Sequence, residues 1–134
     1  MGAEDNVKTV QSMYEAFGRG DVAVILEALT EDVDWGADTS STGAPWYGIR
    51  RNKAEVTAFF QAFGETMEVQ EFTPFAWAAN DTEVHTVVRM RATARATGRT
   101  VEQNLHHYFR FRDGKVDFYR GSEDTAQTVA ALQP

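Results

Sequence analysis

Two adjacent histidines have the clearest capacity for chemistry, and they lie in the stretch NLHHYFRFRDGKVDFYRG (residues 104–121). Histidine is the commonest general acid or base because its ordinary pKa, about 6.5, is close to neutral pH. The stretch has the composition of a strand, and a strand sends neighbouring side chains to opposite faces. One of His106 and His107 therefore faces the interior, and that one can act in a pocket.

The alternation of side chains over residues 100–112 indicates which histidine is inside. The mainly apolar face contains Val101, Gln103, Leu105, His107, Phe109 and Phe111. Because apolar faces pack on the core, we expect His107 to point inward and His106 outward. Two interpretations of His107 stay open: a buried imidazole bonded to a carbonyl or a tyrosine, or a donor or proton carrier in a pocket. A one-residue bulge would exchange the two assignments.

Carboxylates near Trp35 are the candidate partners of this histidine. The stretch TEDVDW predicts a turn into a short strand with Val33 and Trp35 on one side and Asp34 on the other, and Asp38 lies in a loop rich in Gly, Ser, Thr and Pro. Each has a simpler interpretation, since Asp34 can be a solvated strand residue and Asp38 a local cap. We predict His107, Asp34 and Asp38 as catalytic residues. The predicted substrate-binding residues are Tyr14, Phe17, Trp35, Trp46, Phe59, Phe63, Gln103, Phe109 and Tyr119.

Helical spacing dominates the first half of the chain. Apolar residues recur every three or four positions over residues 4–17, 22–29 and 52–67, which predicts three amphipathic helices. Asp21 is placed to cap the second helix. The segment 36–48 between the helices reads as a loop at an open end of the fold.

The second half of the chain alternates as strands do. We predict strands over residues 68–79, 83–96, 100–112 and 115–121, joined by hairpin turns and followed by a short closing helix. Pro74 indicates a bent or edge strand. Helices followed by an antiparallel meander predict an α+β layer fold, in which one sheet face carries the helices and the other meets water or a second subunit.

Composition limits the classes of function. The 134 residues carry a net charge of −7, which disfavours nucleic acid as a partner, and there is no cysteine for disulfides, thiolate chemistry or metal ligation. One inward histidine makes a weak metal site, so we predict no metal and no other cofactor. No apolar stretch approaches the ~20 residues that cross a bilayer, and the first ten residues lack an apolar run. We therefore predict one domain over residues 1–134, no membrane partner and a cytoplasmic location.

Three stretches in this order resemble a known family: VQSMYEAFGRGDVAVILEALTEDVDW, then WYG before a helix, then FRFRDGKVDFYRGSEDTAQTVAAL. They are similar to the SnoaL-like branch of the nuclear transport factor 2-like superfamily, with its polyketide cyclases, ketosteroid isomerases, limonene epoxide hydrolases and scytalone dehydratases. The resemblance covers nearly the whole chain. It implies a cone (a cystatin-like roll) of curved antiparallel sheet wrapped around N-terminal helices, with an apolar pocket at the wide end, and a homodimer through the outer sheet face.

The resemblance also places candidate residues. By the ketosteroid isomerase pattern, His107 falls at the strand position where that family has the carboxylic acid of its oxyanion hole. The isomerase tyrosine falls at Met13, with Tyr14 adjacent, and its base falls near Ala37, beside Asp38 and Asp34. The epoxide hydrolase aspartate matches Gly121, which leaves Glu123 as a substitute carboxylate.

Three functions therefore stay open for the sequence. The first is a cofactor-free enzyme using general acid/base chemistry on an apolar oxygenated molecule, by isomerisation, cyclisation, dehydration or hydration. The second is a non-catalytic dimeric module that binds a small apolar ligand or a peptide. The third is a dimer whose pocket is filled by its own side chains, since nine Phe, four Tyr and three Trp supply ample bulk.

Overall fold

A computed structural model describes residues 2–134, and these form four helices around a single six-stranded sheet. The helices are α1 (Ala3–Gly18), α2 (Val22–Glu27), α3 (Lys53–Thr66) and α4 (Thr125–Leu132). The strands are β1 (Leu29–Ala37), β2 (Ile49–Arg50), β3 (Met67–Ala79), β4 (Glu83–Ala94), β5 (Thr100–Arg112) and β6 (Lys115–Ser122). The predicted α+β architecture is confirmed, and the two-residue β2 is an addition to the predicted order.

Caps and turns set the element boundaries. The carboxylate of Asp21 accepts a hydrogen bond from the backbone of Val24, so the predicted cap of α2 is confirmed. Asn52 caps α3 in the same way. In the hairpin between β5 and β6, Asp113 and Gly114 have φ values of 51° and 79°, which suits the predicted two-residue turn.

The sheet has the strand order β2-β1-β6-β5-β4-β3. Strands β3 to β6 form the predicted antiparallel meander. Strand β1 pairs with β6 in parallel, a pairing that joins distant parts of the sequence and that local spacing does not reveal. The register of β3 with β4 shifts between Pro74 and Ala76, so β3 is the irregular edge strand that the proline indicated.

Strand β5 keeps the alternation that the sequence predicted. Its residues alternate between exposed or half-buried and buried from Thr100 to Arg112, and its register with β4 is continuous. His107 pairs with Thr86 and is 9% exposed, whereas His106 is exposed. The inward orientation of His107 is therefore confirmed.

Helices α1 and α3 cover the inner face of the sheet and carry most of its apolar partners. Val10, Met13 and Ala16 of α1 and Val56 of α3 are buried against it. Burial of apolar surface of this kind is the main favourable contribution to folding. No helix within residues 2–134 is long and apolar enough to cross a membrane.

Candidate functional site

An apolar cavity of about 100 Å³ lies between the inner face of the sheet and helices α1 and α3. A single water needs about 10–15 Å³ on the same scale, so the cavity has room for a small ligand. The side chains around it are mostly aromatic rings and thioethers. They are Met13, Tyr14, Phe17, Ile25, Trp35, Trp46, Phe59, Phe60, Phe63, Phe72, Met90, Leu105, His107, Phe109, Tyr119 and Glu123.

The imidazole of His107 is bonded to a tyrosine on one side. The hydroxyl of Tyr14, which α1 holds over the sheet, lies 2.7 Å from Nδ1 of His107. Their rings are 5.8 Å apart, and the ring of Tyr14 also lies edge-on to Phe72 and Phe109. These ring contacts fix the direction in which the hydroxyl points.

Burial determines the protonation of this pair. Loss of hydration lowers the pKa of His107 to about 3, with the neighbouring His106 adding to the effect, so the imidazole is neutral at pH 7. Burial raises the pKa of the Tyr14 hydroxyl far above its ordinary value, and proximity to Tyr119 contributes. The phenol therefore keeps its proton and donates a hydrogen bond to Nδ1, which leaves the imidazole hydrogen on Nε2.

The other ring nitrogen of His107 is free to bind a ligand. Nε2 has no hydrogen-bond partner within residues 2–134, and the His107 side chain lines the cavity. The hydroxyl of Tyr119 also has no partner among these residues; Tyr119 lines the same cavity, and its ring stacks on Trp35 at 4.0 Å. Burial and the nearby carboxylate of Glu123 raise the pKa of Tyr119, so this hydroxyl also keeps its proton.

Gly121 creates the space that these two donors share. It pairs with His107 across the sheet. A methyl group at Gly121 would collide with the hydroxyl of Tyr119 and would lie 3.3 Å from Cδ2 of His107. The absence of a side chain here allows Tyr119 to lean across the strand toward the edge of the imidazole.

Glu123 supplies a carboxylate at the same cavity. It follows β6 and is half-buried, and it lines both the main cavity and a smaller adjoining one of about 40 Å³ together with His107 and Tyr119. Its Oε2 accepts hydrogen bonds from the hydroxyls of Tyr47 at 3.0 Å and Thr128 at 2.5 Å. Its Oε1 has no hydrogen-bond partner within residues 2–134, so one oxygen is held and the other is available.

The structure places the two predicted aspartates outside this cavity. The carboxylate of Asp34 lies on the outer face, 2.9 Å from Arg51 and 2.9 Å from Arg120. Its position follows from alternation, because Val33 and Trp35 take the inward positions of β1. Asp38 is exposed beyond the end of β1, where its backbone N–H donates to the carbonyl of Gly121.

The predicted aromatic residues surround the cavity together, and so do Tyr14 and His107. Gln103 is the exception, because it is buried and both ends of its amide are bonded to protein: Oε1 accepts from the N–H of Asp124, and Nε2 donates to Thr128. The prediction that Gln103 lines the pocket is therefore corrected. Gln103 is buried behind the residues that line the cavity and is not one of them.

Several lining residues were not in the predicted set. They are Met13, Ile25, Phe60, Phe72, Met90, Leu105 and Glu123. Strand alternation contains a signal for some of them, since Met90 and Leu105 occupy inward positions of their strands. The same signal extends along β6 and one residue past its end, since Tyr119, Gly121 and Glu123 are spaced two residues apart and all border the smaller cavity.

No group of three or more His, Cys, Asp or Glu residues with the geometry of a metal site occurs in the described part of the chain, residues 2–134. The polar groups at the cavity are instead suited to hydrogen bonding and proton transfer.

Comparison with known proteins agrees with this fold. The profile of the SnoaL-like domain matches residues 10–119, so the chain belongs to the SnoaL-like domain family. An NTF2-like protein from Burkholderia xenovorans is 27% identical, covers 99% of each chain and superposes with a TM-score of 0.88. An NTF2-like protein of unknown function from Burkholderia pseudomallei is 26% identical over 97% of this chain and 98% of its own, with a TM-score of 0.89.

The same fold occurs at lower identity in TerC, which was co-crystallised with polyporic acid. TerC is 19% identical, over 97% of this chain and 99% of its own, with a TM-score of 0.85. No curated protein was found to be significantly similar to the chain in sequence. The resemblance seen in the sequence is thus confirmed at the level of family and fold.

Proposed function

We propose that this protein is a cofactor-free enzyme that carries out general acid/base chemistry on a small apolar molecule bearing a carbonyl oxygen. The observation that carries the proposal is the neutral His107 at the wall of an apolar cavity, with Nδ1 bonded to Tyr14 and Nε2 without a partner within residues 2–134. A donor held in this way needs no reorganisation when negative charge develops on a ligand oxygen.

The proposed roles follow from which atoms remain unpartnered. Nε2–H of His107 and the hydroxyl of Tyr119 donate to the carbonyl oxygen, and Oε1 of Glu123 accepts a proton from the adjacent carbon. The electron pair of the broken C–H bond moves to the oxygen and gives an enolate held by the two donors. When the enolate is conjugated with a C=C bond, return of the proton from Glu123 to the far carbon completes an isomerisation. When the enolate carbon instead attacks a second carbonyl, the resulting alkoxide takes the proton from Glu123 and completes a cyclisation.

The magnitudes are adequate for an enzyme of this class. A positioned acid or base contributes about 10²–10⁴-fold in rate, and an oxyanion donor contributes about 10²–10³-fold. The apolar walls strengthen both effects, because electrostatic interactions are stronger where water is excluded. The proposal needs no cofactor, since donor and base are both side chains of this chain.

Deuterium exchange tests the proposal without knowledge of the natural substrate. A panel of small cyclic ketones, aryl ketones and lactones is incubated with the protein in D2O, and loss of the α-proton signals is followed by NMR. We expect exchange with at least one member, and a fall of about a hundredfold or more in His107→Ala and Glu123→Gln. Asp34→Asn and Asp38→Asn are the matched controls, which keep the wild-type rate because both carboxylates lie outside the cavity. Equal exchange in His107→Ala and wild type contradicts the proposal.

A binding module is the second candidate, and the position of Asp34 and Asp38 favours it. Both aspartates lie outside the cavity, so Glu123 is the one carboxylate among its lining residues within residues 2–134. Ligand-dependent thermal stabilisation without deuterium exchange would identify such a module, since a ligand that binds the native state raises the melting temperature. Polyporic acid, with which TerC was crystallised, belongs in this panel.

A further inference from the structure

The carboxylate of Glu123 is attached to two other parts of the fold. Thr128 of α4 and Tyr47 of the loop before β2 both donate to Oε2. Gln103 of β5 extends the chain of hydrogen bonds, because its Nε2 donates to Thr128 Oγ1 at 3.1 Å. Gln103 is 5% exposed and Thr128 is 2% exposed, so water does not compete for these bonds.

The direction of each hydrogen bond in this chain is determined. Oε1 of Gln103 accepts from the backbone N–H of Asp124 at 2.7 Å, so the amide must present its NH2 group to Thr128. The hydroxyl of Thr128 then has one hydrogen to give and two acceptors within reach: Oε2 of Glu123 at 2.5 Å and the carbonyl of Asp124 at 3.3 Å. It donates to Glu123, because the bond is shorter and the acceptor is charged.

We propose that Thr128 and Gln103 are positioning residues that hold Oε2 of Glu123 so that Oε1 is presented to the cavity as a proton acceptor. This inference rests on the proposed function, in which Glu123 is the base. Neither residue lines the cavity, so neither is in contact with a ligand there. Their effect passes through the carboxylate alone.

The arrangement also ties the base to the strand that carries the acid. Gln103 and His107 lie on the same face of β5, four residues apart, and both are buried. The hydrogen-bond chain from Gln103 therefore sets the carboxylate relative to the same rigid strand as the imidazole. Acid/base catalysis gains from such fixed geometry, because a misplacement of about 1 Å can cost about a hundredfold in rate.

A purely structural role for Thr128 is the competing explanation. Threonine hydroxyls in helices often bond the carbonyl four residues earlier, as Thr66 does with Ala62 in α3 at 2.7 Å. Substitution of Thr66 by valine is therefore a matched control for loss of such a bond. A structural role predicts that Thr128→Val lowers stability only, with no specific effect on turnover.

A base-only reaction separates the two roles. The probe is 5-nitrobenzisoxazole: a base removes its ring C–H proton, the C≡N bond forms as the N–O bond breaks, and the oxygen leaves as a coloured phenolate. We expect wild-type turnover to disappear in Glu123→Gln. In Thr128→Val we expect kcat to fall about tenfold to a hundredfold with KM within about twofold. Thr128→Ser restores the hydroxyl and the rate, and Thr66→Val keeps the wild-type kcat.

Proton NMR supplies a readout that does not depend on turnover. A buried hydroxyl bonded to a carboxylate exchanges slowly and resonates downfield, so wild type and Thr128→Ser show such a hydroxyl proton and Thr128→Val does not. A wild-type kcat in Thr128→Val, or the absence of this resonance from wild type, overturns the inference. If the resonance is present but wild type does not turn over the probe, the placement of Glu123 is supported and the proposed function is contradicted.

Discussion

In the proposed reaction, the imidazole of His107 is a hydrogen-bond donor and not a base. Its Nδ1 is occupied by the hydroxyl of Tyr14, and burial keeps the ring neutral far below neutral pH. A neutral imidazole that presents Nε2–H stabilises developing negative charge on a ligand oxygen. This leaves the carboxylate of Glu123 as the group that accepts a proton.

The buried neutral state of His107 has a measurable effect on stability. Its pKa falls from 6.5 to about 3 on folding, so below pH 6.5 the unfolded chain binds a proton that the native protein does not. The stability that the neutral His107 contributes is therefore fully present above pH 6.5, and this contribution is lost as the pH falls toward 3. We expect this group to lower the free energy of unfolding by about 2 kcal/mol at pH 5 relative to pH 8.

Urea denaturation of wild type and His107→Gln at several pH values measures this effect. The variant lacks the imidazole, so its free energy of unfolding should fall less steeply between pH 6.5 and pH 5. His106→Gln, which removes the exposed neighbour, is the matched control and should change the slope less than His107→Gln does, because burial is the larger cause of the pKa shift. Parallel curves for His107→Gln and wild type would show that the pKa of His107 does not change on folding, which contradicts its burial as a neutral ring.

Gly121 permits a second test at a single residue. An added methyl group would meet the hydroxyl of Tyr119 and the imidazole of His107. We expect Gly121→Ala to lower the free energy of unfolding by about 1–3 kcal/mol, as overpacking does, and to abolish deuterium exchange by displacing Tyr119. Gly64→Ala is the control, because nothing lies near that position and alanine favours a helix. A Gly121→Ala protein as stable and active as wild type would contradict the described contact.

Sequence patterns predicted His107 and the aromatic wall, but they offered Glu123 only as a substitute carboxylate and placed the two aspartates at the site instead. The two-residue period of β5 is unbroken, so parity placed His107 and Phe109 correctly inside. Asp34 and Asp38 were predicted from their nearness to Trp35 and from the family resemblance, whereas the parity of β1 sends Asp34 outward to Arg120. The placement of Glu123 depends on hydrogen bonds from Tyr47 and Thr128, which no local spacing encodes.

At the level of elements, Asp34 joins parts of the fold that are distant in sequence. Its carboxylate on β1 pairs with Arg120 of β6 and with Arg51, which lies just before α3. The guanidinium of Arg120 also lies over the ring of Phe118 at 4.3 Å. The network reinforces the parallel pairing of β1 with β6, which closes the sheet beside the cavity.

Removal of the Asp34 charge should lower stability and leave the rate of deuterium exchange unchanged. Asp34→Asn loses a partly buried ion pair with Arg120 and an exposed one with Arg51, and we expect the free energy of unfolding to fall by about 1 kcal/mol. Deuterium exchange should stay at the wild-type rate, because the carboxylate lies outside the cavity. Asp32→Asn, which breaks a more exposed pair with Arg112, should have a smaller effect in the same urea titration. Loss of exchange in Asp34→Asn would return Asp34 to the catalytic set.

The elements themselves followed well from the sequence, with two exceptions. Caps such as Asp21 and the Asp113–Gly114 turn act locally, so they determine where elements begin and end. The short strand β2 and the parallel pairing of β1 with β6 depend on contacts between remote segments. Contacts of that kind are decided by the whole sheet and leave no periodic signal in the residues involved.

At the scale of the whole molecule, the outer face of the sheet carries an open groove of about 520 Å³. Its outward-facing lining residues include Ala76, Ala78, His85, Val87, His106, Tyr108, Arg120 and Ser122. Small apolar and aromatic residues on one exposed face are typical of an interaction surface. We propose that a second copy of the chain covers it, as the sequence predicted from Val87, His106 and Tyr108.

Light scattering over a range of concentrations tests this assembly. We expect wild type to have the mass of a dimer, and Val87→Arg to shift it toward the monomer, because a charge at a two-fold interface meets its own copy. Glu65→Arg, on the exposed side of α3, is the control and should keep the wild-type mass. A wild-type mass equal to one chain at every concentration would refute the dimer.

The measurement that tests the central claim most directly is the protonation of His107 by ¹⁵N NMR. Two-bond ¹H–¹⁵N correlations distinguish the two nitrogens of each imidazole and show which one carries hydrogen. We predict a neutral ring with hydrogen on Nε2 and a bare Nδ1, unchanged between pH 8 and pH 5. A ring at position 107 with hydrogen on Nδ1, or one that becomes doubly protonated above pH 5, would contradict the donor role and the site built on it.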